Sequence, residues 1–501
     1  MKSFDLDSPL IDLVSRSETR HWTVRNAVEG VQIFGGIGSG KTSGSGRMLA
    51  LKYLHHGFGG LVLTVKPDEK QLWQDYCHLT GRLDDLIIIE PGGAHSFNFL
   101  EFEVSSAGSD AITENIVDVL KTVINAGENN SGGNSDDSFW DKALDMLIFN
   151  VIDLCHLAYD RLLVQDMYDI IQTIPKSPED INQGMDNGDV KPYFKAMRLA
   201  SDKVMKQIDT WMAALPFQER EAIQNSPDFE AILVSMIPDA RLIKFVDQFF
   251  DNFIRLNEKT RSIIDFIVSG FLFRLLREPV YSMFCNKPST VTPEDSLKGK
   301  IILINLPVKI YHKVGRDCQI LFKYIWQRVM EKRDISQNSR PLFLWADEAQ
   351  NFLHEHDADY QATARSSRIS TVYISQNLPN YYACMGGAKA EYRVKSFLGT
   401  LGTKIFHANA DIETNKYASE LIGDAFFEEQ SNSVTYSKNF SQSKSTGLKL
   451  ERLVRPEDFA KLKTGGPTNN NRVEGYVHRQ GDVLLNNMNH TKMNFNQLYH
   501  P

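Results

Sequence analysis

Cysteine pairs are missing from this chain. Its five cysteines, Cys77, Cys155, Cys285, Cys318 and Cys384, are scattered, with no C-x-x-C and no zinc-like spacing. That excludes a disulfide framework and reads as the reduced thiols of a cytosolic protein. Long apolar runs are missing too: no window approaches the 18 or so uninterrupted residues that a membrane helix needs. The opening "MKSFDLDSPLIDLV" lacks the basic-then-apolar order of a secretory signal. There is no basic excess, since 55 Lys and Arg face 63 Asp and Glu for a net charge of -8. A surface that is basic all over, as in a histone-like binder, is thereby excluded, although a local basic channel is not. No internal repeat is found. What remains is ordinary globular composition, 42% hydrophobic and 24% charged over 501 residues, enough for two or three packed units.

Along the chain, short apolar runs alternate with helical stretches. "VQIF" (31–34), "GGLVLTV" (59–65) and "DLIIIEP" (85–91) read as strands, and the run after residue 42 reads as a helix stopping near Gly57. This alternation predicts a parallel sheet covered on both faces, an α/β fold. From about 107 to 265 the texture is helical, as in "SFWDKALDMLIFNVIDL", with Trp140, Leu144, Leu147, Val151 and Leu154 on one stripe. The polar break 127–137 reads as a loop. Strands resume at "KIILINLP", "PLFLWADEAQ", "STVYISQN" and "TKIFHANAD", with a helix after the first of them. The expected organisation is therefore a nucleotide-binding unit begun by 1–106 and completed by 266–501, with an all-helical domain inserted at 107–265. The polar, Ser-rich stretch 426–447 reads as an exposed hairpin or a strap.

The glycine-rich "FGGIGSGKTSGSG" (34–46) is too ordered to be a linker. Gly35, four residues, then Gly40-Lys41-Thr42 match G-x-x-x-x-G-K-[ST] between a strand and a helix. Glycines let successive backbone N–H groups turn inward around phosphate oxygens, so Gly35, Gly36, Ile37, Gly38, Ser39, Gly40, Lys41, Thr42 and Ser43 are the candidate nucleotide-binding residues. Lys41 is placed to reach the β- and γ-phosphates, and the Thr42 hydroxyl to ligate Mg²⁺. Lys41 is expected to be a solvent-facing loop residue. Gly44 and Gly46 have no phosphate role, and each costs a helix about 1 kcal/mol against alanine. Close approach of the helix to the sheet, or to a neighbouring subunit, is the expected reason.

Two further strand ends narrow the class. "LFLWADEAQ" ends an apolar run in Asp347 and Glu348, where Asp347 can hold a Mg²⁺-bound water and Glu348 can polarise the attacking water. An Asp-Glu pair is commonly just a solvated strand end. Following a complete phosphate loop by about 300 residues, it reads as a Walker B motif. Gln376 ends the next apolar run, where it can sense the γ-phosphate or merely cap a strand. No base-reading N-K-x-D of a GTPase follows.

With these motifs in order, the chain resembles the conjugative coupling proteins of type IV secretion, the TraG/TraD family, within the FtsK/HerA group of hexameric RecA-like motors. The resemblance runs from about 30 to 480 and includes "VKPDEK", "IIIEPGGAHSFNFL", the helical insertion, "NEKTRSIIDFIVSGFLF", "WADEAQNF", "ARSSRISTVYISQNLPNYYA" and "RLVRPEDFAKLKTGG". It implies a RecA-like P-loop core and a homo-hexamer that hydrolyses ATP with Mg²⁺. Such a motor moves single-stranded DNA or nucleoprotein into a secretion channel. It further implies relaxase or adaptor/effector partners meeting the helical domain, and a cytoplasmic motor recruited peripherally to the inner membrane. The family usually begins with transmembrane helices, and this chain begins almost directly at the ATPase core. The expected membrane anchor is then a separate subunit, unless the motor serves a soluble task in DNA processing or defence, or as an effector-receptor ATPase. Ring motors complete their sites with an arginine from the next subunit, and Arg365, or failing it Arg368, in "ATARSSRIST" is the candidate.

Overall fold

A computed structural model describes residues 4–15, 17–106, 112–128, 137–181, 191–385, 390–436, 440–481 and 483–501. The loop expected at 127–137 falls mostly outside them, as do 107–111 at the start of the expected insertion. The chain divides into two units. One comprises Met1–Ile88 with Pro293–Pro501, the other Ile89–Thr292. The segment 107–265 lies within the second.

The first unit opens with a hairpin, β1 (Pro9–Val14) and β2 (Thr19–Thr23), that the sequence reading did not anticipate. The strands that follow are β3 (Val31–Phe34), β4 (Gly59–Leu63), β5 (Leu86–Ile89), β6 (Ile301–Ile304), β7 (Leu342–Asp347), β8 (Ile369–Ser375) and β9 (Thr403–Phe406). Two long strands, β10 (Asp424–Tyr436) and β11 (Phe440–Arg452), come next, then β12 (Arg472–Arg479) and β13 (His490–Asn496). Nine of them form one sheet in the order β13-β12-β9-β3-β8-β7-β4-β6-β5. The pairings β9-β3, β3-β8, β8-β7, β7-β4 and β4-β6 are parallel, whereas β12 and β13 extend the sheet antiparallel.

Strands β3, β4, β6, β7, β8 and β9 are buried at every position. That is why they read as continuous apolar runs rather than as alternations, and it requires cover on both faces. The helix Arg47–His55 buries Leu49, Leu51, Tyr53 and Leu54. The helix Glu69–Leu79 sends Trp73 against Phe343 and Trp345 of β7, with ring centroids 5.5 and 5.4 Å apart. The helix Val308–Glu331 buries Cys318, Leu321 and Ile325.

Among the described residues, strands β10 and β11 pair with each other alone, antiparallel from Asp424↔Arg452 to Tyr436↔Phe440. The polar stretch is thus a hairpin arm. The second unit is built of helices, among them Ile112–Glu128, Asp137–Tyr159, Val164–Thr173, Pro192–Ala214, Pro238–Ile254 and Glu258–Leu275. Leu144, Leu147, Val151 and Leu154 are buried on one face, as their spacing requires. Asn257 caps the last of these helices, its side chain accepting from the Lys259 N–H at 2.9 Å. Among the described residues, no helix is long and apolar enough to cross a membrane.

Candidate active site

The four strands at the middle of the sheet, β3, β8, β7 and β4, lie side by side and run the same way. Their C-terminal ends therefore share one edge, where open α/β sheets bind their ligands. Past β3 comes the glycine loop, past β8 Gln376, at the end of β7 Asp347 and Glu348, and past β4 a residue not singled out from the sequence, Lys66.

The glycine loop is tied to the strands beside it. The Gly35 N–H donates to the Ser375 carbonyl at 3.3 Å and the Gly36 N–H to the Ala408 carbonyl at 2.8 Å. Gly38 and Gly40 have φ of 71° and 81°, the left-handed region that side chains avoid. A Cβ on Gly40 would also lie 2.5 Å from Val473 Cγ2. Ile37 stands at the tip, 89% exposed, while the Ser39 hydroxyl is buried with no protein partner among the described residues. Thr42–Gly46 form a π-helical turn before the helix Arg47–His55. A Cβ on Gly44 would come within 3.0 Å of Val473, and one on Gly46 within 3.3 Å of Ile374. Both glycines therefore bring the turn against the sheet. Ser43 points elsewhere, its hydroxyl accepting from Gln497 Nε2 at 2.6 Å.

Beneath the turn sits His407, just past β9. Its Nδ1 meets the Glu474 carbonyl at 2.8 Å and must carry the proton, so Nε2 accepts from the Ser45 hydroxyl at 2.7 Å. Burial pushes the His407 pKa down to about 4, so the ring is a neutral strut under the loop.

Lys41 corrects one expectation: it is buried, 7% exposed. Its Nζ lies 3.7 Å from Glu348 Oε1. Asp347 Oδ2 accepts from the Thr42 hydroxyl at 2.8 Å and from Lys66 Nζ at 3.2 Å. Glu348 adopts φ 54°, uncommon for a side-chain-bearing residue. The turn is held by the Glu348 N–H on Asp347 Oδ1 at 2.9 Å and by Asn351 Nδ2 on the Glu348 carbonyl at 2.8 Å. The Glu348 carboxylate accepts from Gln350 Nε2 at 2.9 Å and from Gln376 Nε2 at 3.3 Å. Burial works to raise its pKa. The Gln350 hydrogen bond, the Lys41 charge, the Gln376 contact and the Lys66 charge outweigh burial and hold the carboxyl below its ordinary value.

The arrangement suits a nucleotide phosphate and a divalent ion. Gly38 and Gly40 take a backbone conformation that a side chain would strain, and Ser39 offers a buried hydroxyl with no protein partner among the described residues. Thr42 and Asp347 present the paired oxygen donors that Mg²⁺ takes. The Lys66 ammonium already supplies a positive charge at that carboxylate.

The arginines are not brought to this edge. Arg365 and Arg368 precede β8, whose seven residues span about 20 Å to Gln376. Arg365 is an exposed side chain 3.6 Å from Glu29 Oε1. With Arg25, Gln361 and Arg479 it lines an open cavity of about 560 Å³. Arg368 is spent on structure: at φ 52°, its guanidinium donates to the carbonyls of Phe4 at 2.9 Å and Ser339 at 3.1 Å.

Sequence reasoning passed over Lys66, Gln350 and His407. Lys66 follows a fully buried parallel strand, and that position alone places a side chain at the ligand edge. His407, directly after the fully buried parallel β9, carried the same signal, whereas Gln350 left none, because it acts through a loop conformation.

The class that this fold defines is the RecA-like α/β core, a mostly parallel sheet interrupted in sequence by a helical unit. A family model described as the TraM recognition site of TraD and TraG matches residues 341–464. No curated protein sequence matches the chain. Among solved structures, the bacterial conjugative coupling protein TrwB in an unbound form is similar over 95% of this chain and 86% of its own, with TM-score 0.57 and 14% identity. TrwB with the non-hydrolysable GTP analogue GDPNP matches over 96% and 88%, with TM-score 0.58 and 14% identity. TrwB with ADP and Mg²⁺ gives the same four values. This chain therefore has the fold of TrwB and resembles the TraG/TraD conjugative coupling proteins.

Proposed function

We propose that this chain is an ATP-hydrolysing motor of the conjugative coupling type, which works as a homo-hexameric ring and feeds DNA to a secretion channel. The observation that carries the reading is the meeting of the glycine loop, Asp347, Glu348 and Gln376 at one edge of four consecutive parallel strands. The structures of TrwB with ADP and Mg²⁺, and with a non-hydrolysable nucleotide, support the same reading through the shared fold.

In this account the loop's N–H groups past Gly36, apart from that of Ser39, which donates to the Gly36 carbonyl, and the Lys41 ammonium bind the phosphates. Thr42 and Asp347 hold Mg²⁺, which when bound offsets charge on the phosphate oxygens. Glu348 takes the proton of the attacking water, and Gln376 and Gln350 aim its carboxylate. Gln376, bridging the end of β8 to Glu348, is also placed to relay phosphate loss into the next strand. The motor's protein partners are relaxase or adaptor proteins and subunits of the secretion channel. The match to a segment described as a TraM recognition site supports a protein partner in general.

Within one chain neither Arg365 nor Arg368 reaches the site, and a ring brings an arginine from the next subunit. Phosphoryl transfer leaves charge on the γ-phosphate oxygens that a planar, permanent cation can offset. Arg365, exposed at the opposite end of β8, is free to meet the next subunit's nucleotide in a way that Arg368 is not. Lys41→Ala and Arg365→Ala subunits, each inactive alone, are expected to regain hydrolysis when co-assembled, because some interfaces then join an intact loop to an intact arginine. Dead mixtures in rings of proven mixed composition, or full activity of Arg365→Ala alone, rule Arg365 out.

A further inference from the structure

Lys66 stands where the site, on the reading above, needs a divalent cation. Its Nζ is 3.2 Å from Asp347 Oδ2 and 4.0 Å from Glu348 Oε1. The same Asp347 oxygen takes the Thr42 hydroxyl at 2.8 Å. A lysine thus shares the carboxylate oxygen that Thr42 also engages, the two groups assigned to Mg²⁺.

The backbone beneath this lysine is built in. Glu69, itself buried, accepts through Oε2 from the N–H groups of Val65 at 2.6 Å and Lys66 at 3.2 Å. Gln319 Oε1 accepts from the Thr64 N–H at 2.6 Å, and the Val65 carbonyl accepts from the Lys309 N–H at 3.0 Å. With the loop anchored at four points, the freedom left belongs to the four-carbon side chain, which is 38% exposed while Asp347 is 5% exposed. An ammonium on such a stem swings without moving the backbone. Two adjacent buried carboxylates, by contrast, are unfavourable unless a cation attends them. Lys41 lies 3.7 Å from Glu348, which leaves Asp347 to Lys66.

We propose that Lys66 is a tethered counter-ion of the Asp347–Glu348 pair, which neutralises the pair before nucleotide loads and is displaced by the incoming divalent ion. The proposal rests on the reading of this edge as the nucleotide site. Its consequence is ordered loading: the carboxylates do not collect a metal ion by themselves, and the ion enters with the nucleotide that binds the loop.

The test is Mn²⁺ binding to the full chain without nucleotide, read by the loss of the free-ion electron paramagnetic resonance signal. Lys66→Met keeps the length of the side chain and removes its charge. It is expected to bind Mn²⁺ at least about tenfold more tightly than the parent, and Lys66→Gln should do the same. Lys66→Arg should stay with the parent, and Asp347→Asn added to Lys66→Met should erase the gain. Equal Mn²⁺ affinity of the parent, Lys66→Met and Lys66→Gln overturns the proposal. So does a gain that survives Asp347→Asn. Binding of a fluorescent ATP analogue with Mg²⁺ to the parent separates the two readings. If the parent binds it and no variant gains Mn²⁺, the counter-ion fails alone. If the parent does not bind it, the assignment of the nucleotide site fails as well.

Discussion

Lys41→Ala is expected to lower ATP turnover by at least about 10³-fold, in line with removal of a preorganised charge from a phosphoryl-transfer site. The ammonium is buried between the glycine loop and Glu348, 3.7 Å from its carboxylate. Its loss therefore also weakens the protein, by about 1–3 kcal/mol, since Glu348 loses a buried counter-charge but keeps Gln350 and Gln376. Nucleotide binding by equilibrium fluorescence, with thermal unfolding beside it, separates the two effects. Turnover near the parental rate in a folded variant contradicts the assignment of the loop.

Glu348→Gln is expected to bind nucleotide with Mg²⁺ and yet turn over about 10²–10⁴-fold more slowly, because an amide cannot take the proton of water. The local geometry favours a clean comparison. The turn is fixed by backbone and by Asn351, none of which needs the Glu348 carboxylate. Gln350 and Gln376, 2.9 and 3.4 Å from Glu348 Oε2, both keep an acceptor when the amide oxygen takes that position. Single-turnover hydrolysis measured beside binding is the check. An unchanged chemical step transfers the role of base to another group, with Asp347 already committed to Thr42 and Lys66.

Much of this was legible before any coordinates, for identifiable reasons. A fully buried parallel strand has to be an apolar run, and residues just past such a run fall at the ligand edge. Hence Asp347, Glu348, Gln376 and the glycine loop stood out. The lateral order of strands did not. Nothing local tells β7 to pair with β4 across more than 270 residues, or β12 to close the sheet antiparallel beside β9. Side-chain depth was misjudged at Lys41, because glycine-rich composition suggests exposure whereas the carboxylates draw the ammonium inward. The neutral strut of His407 under Ser45, and the approach of Gly44 and Gly46 to Val473 and Ile374, depend on packing between segments remote in sequence. Arg365 and Arg368 look alike in the sequence. They differ only because the carbonyls of Phe4 and Ser339 occupy one and leave the other exposed.

On the proposed function, ATP hydrolysis is coupled to DNA in a ring. The most direct measurement is the steady-state ATPase rate of the purified protein without DNA, with single-stranded DNA and with duplex, native mass being recorded in each condition. The expected result is a rate that rises several-fold with DNA, together with a hexameric mass, and no such rise in Lys41→Ala. Hydrolysis indifferent to both forms of DNA in a confirmed hexamer would contradict it.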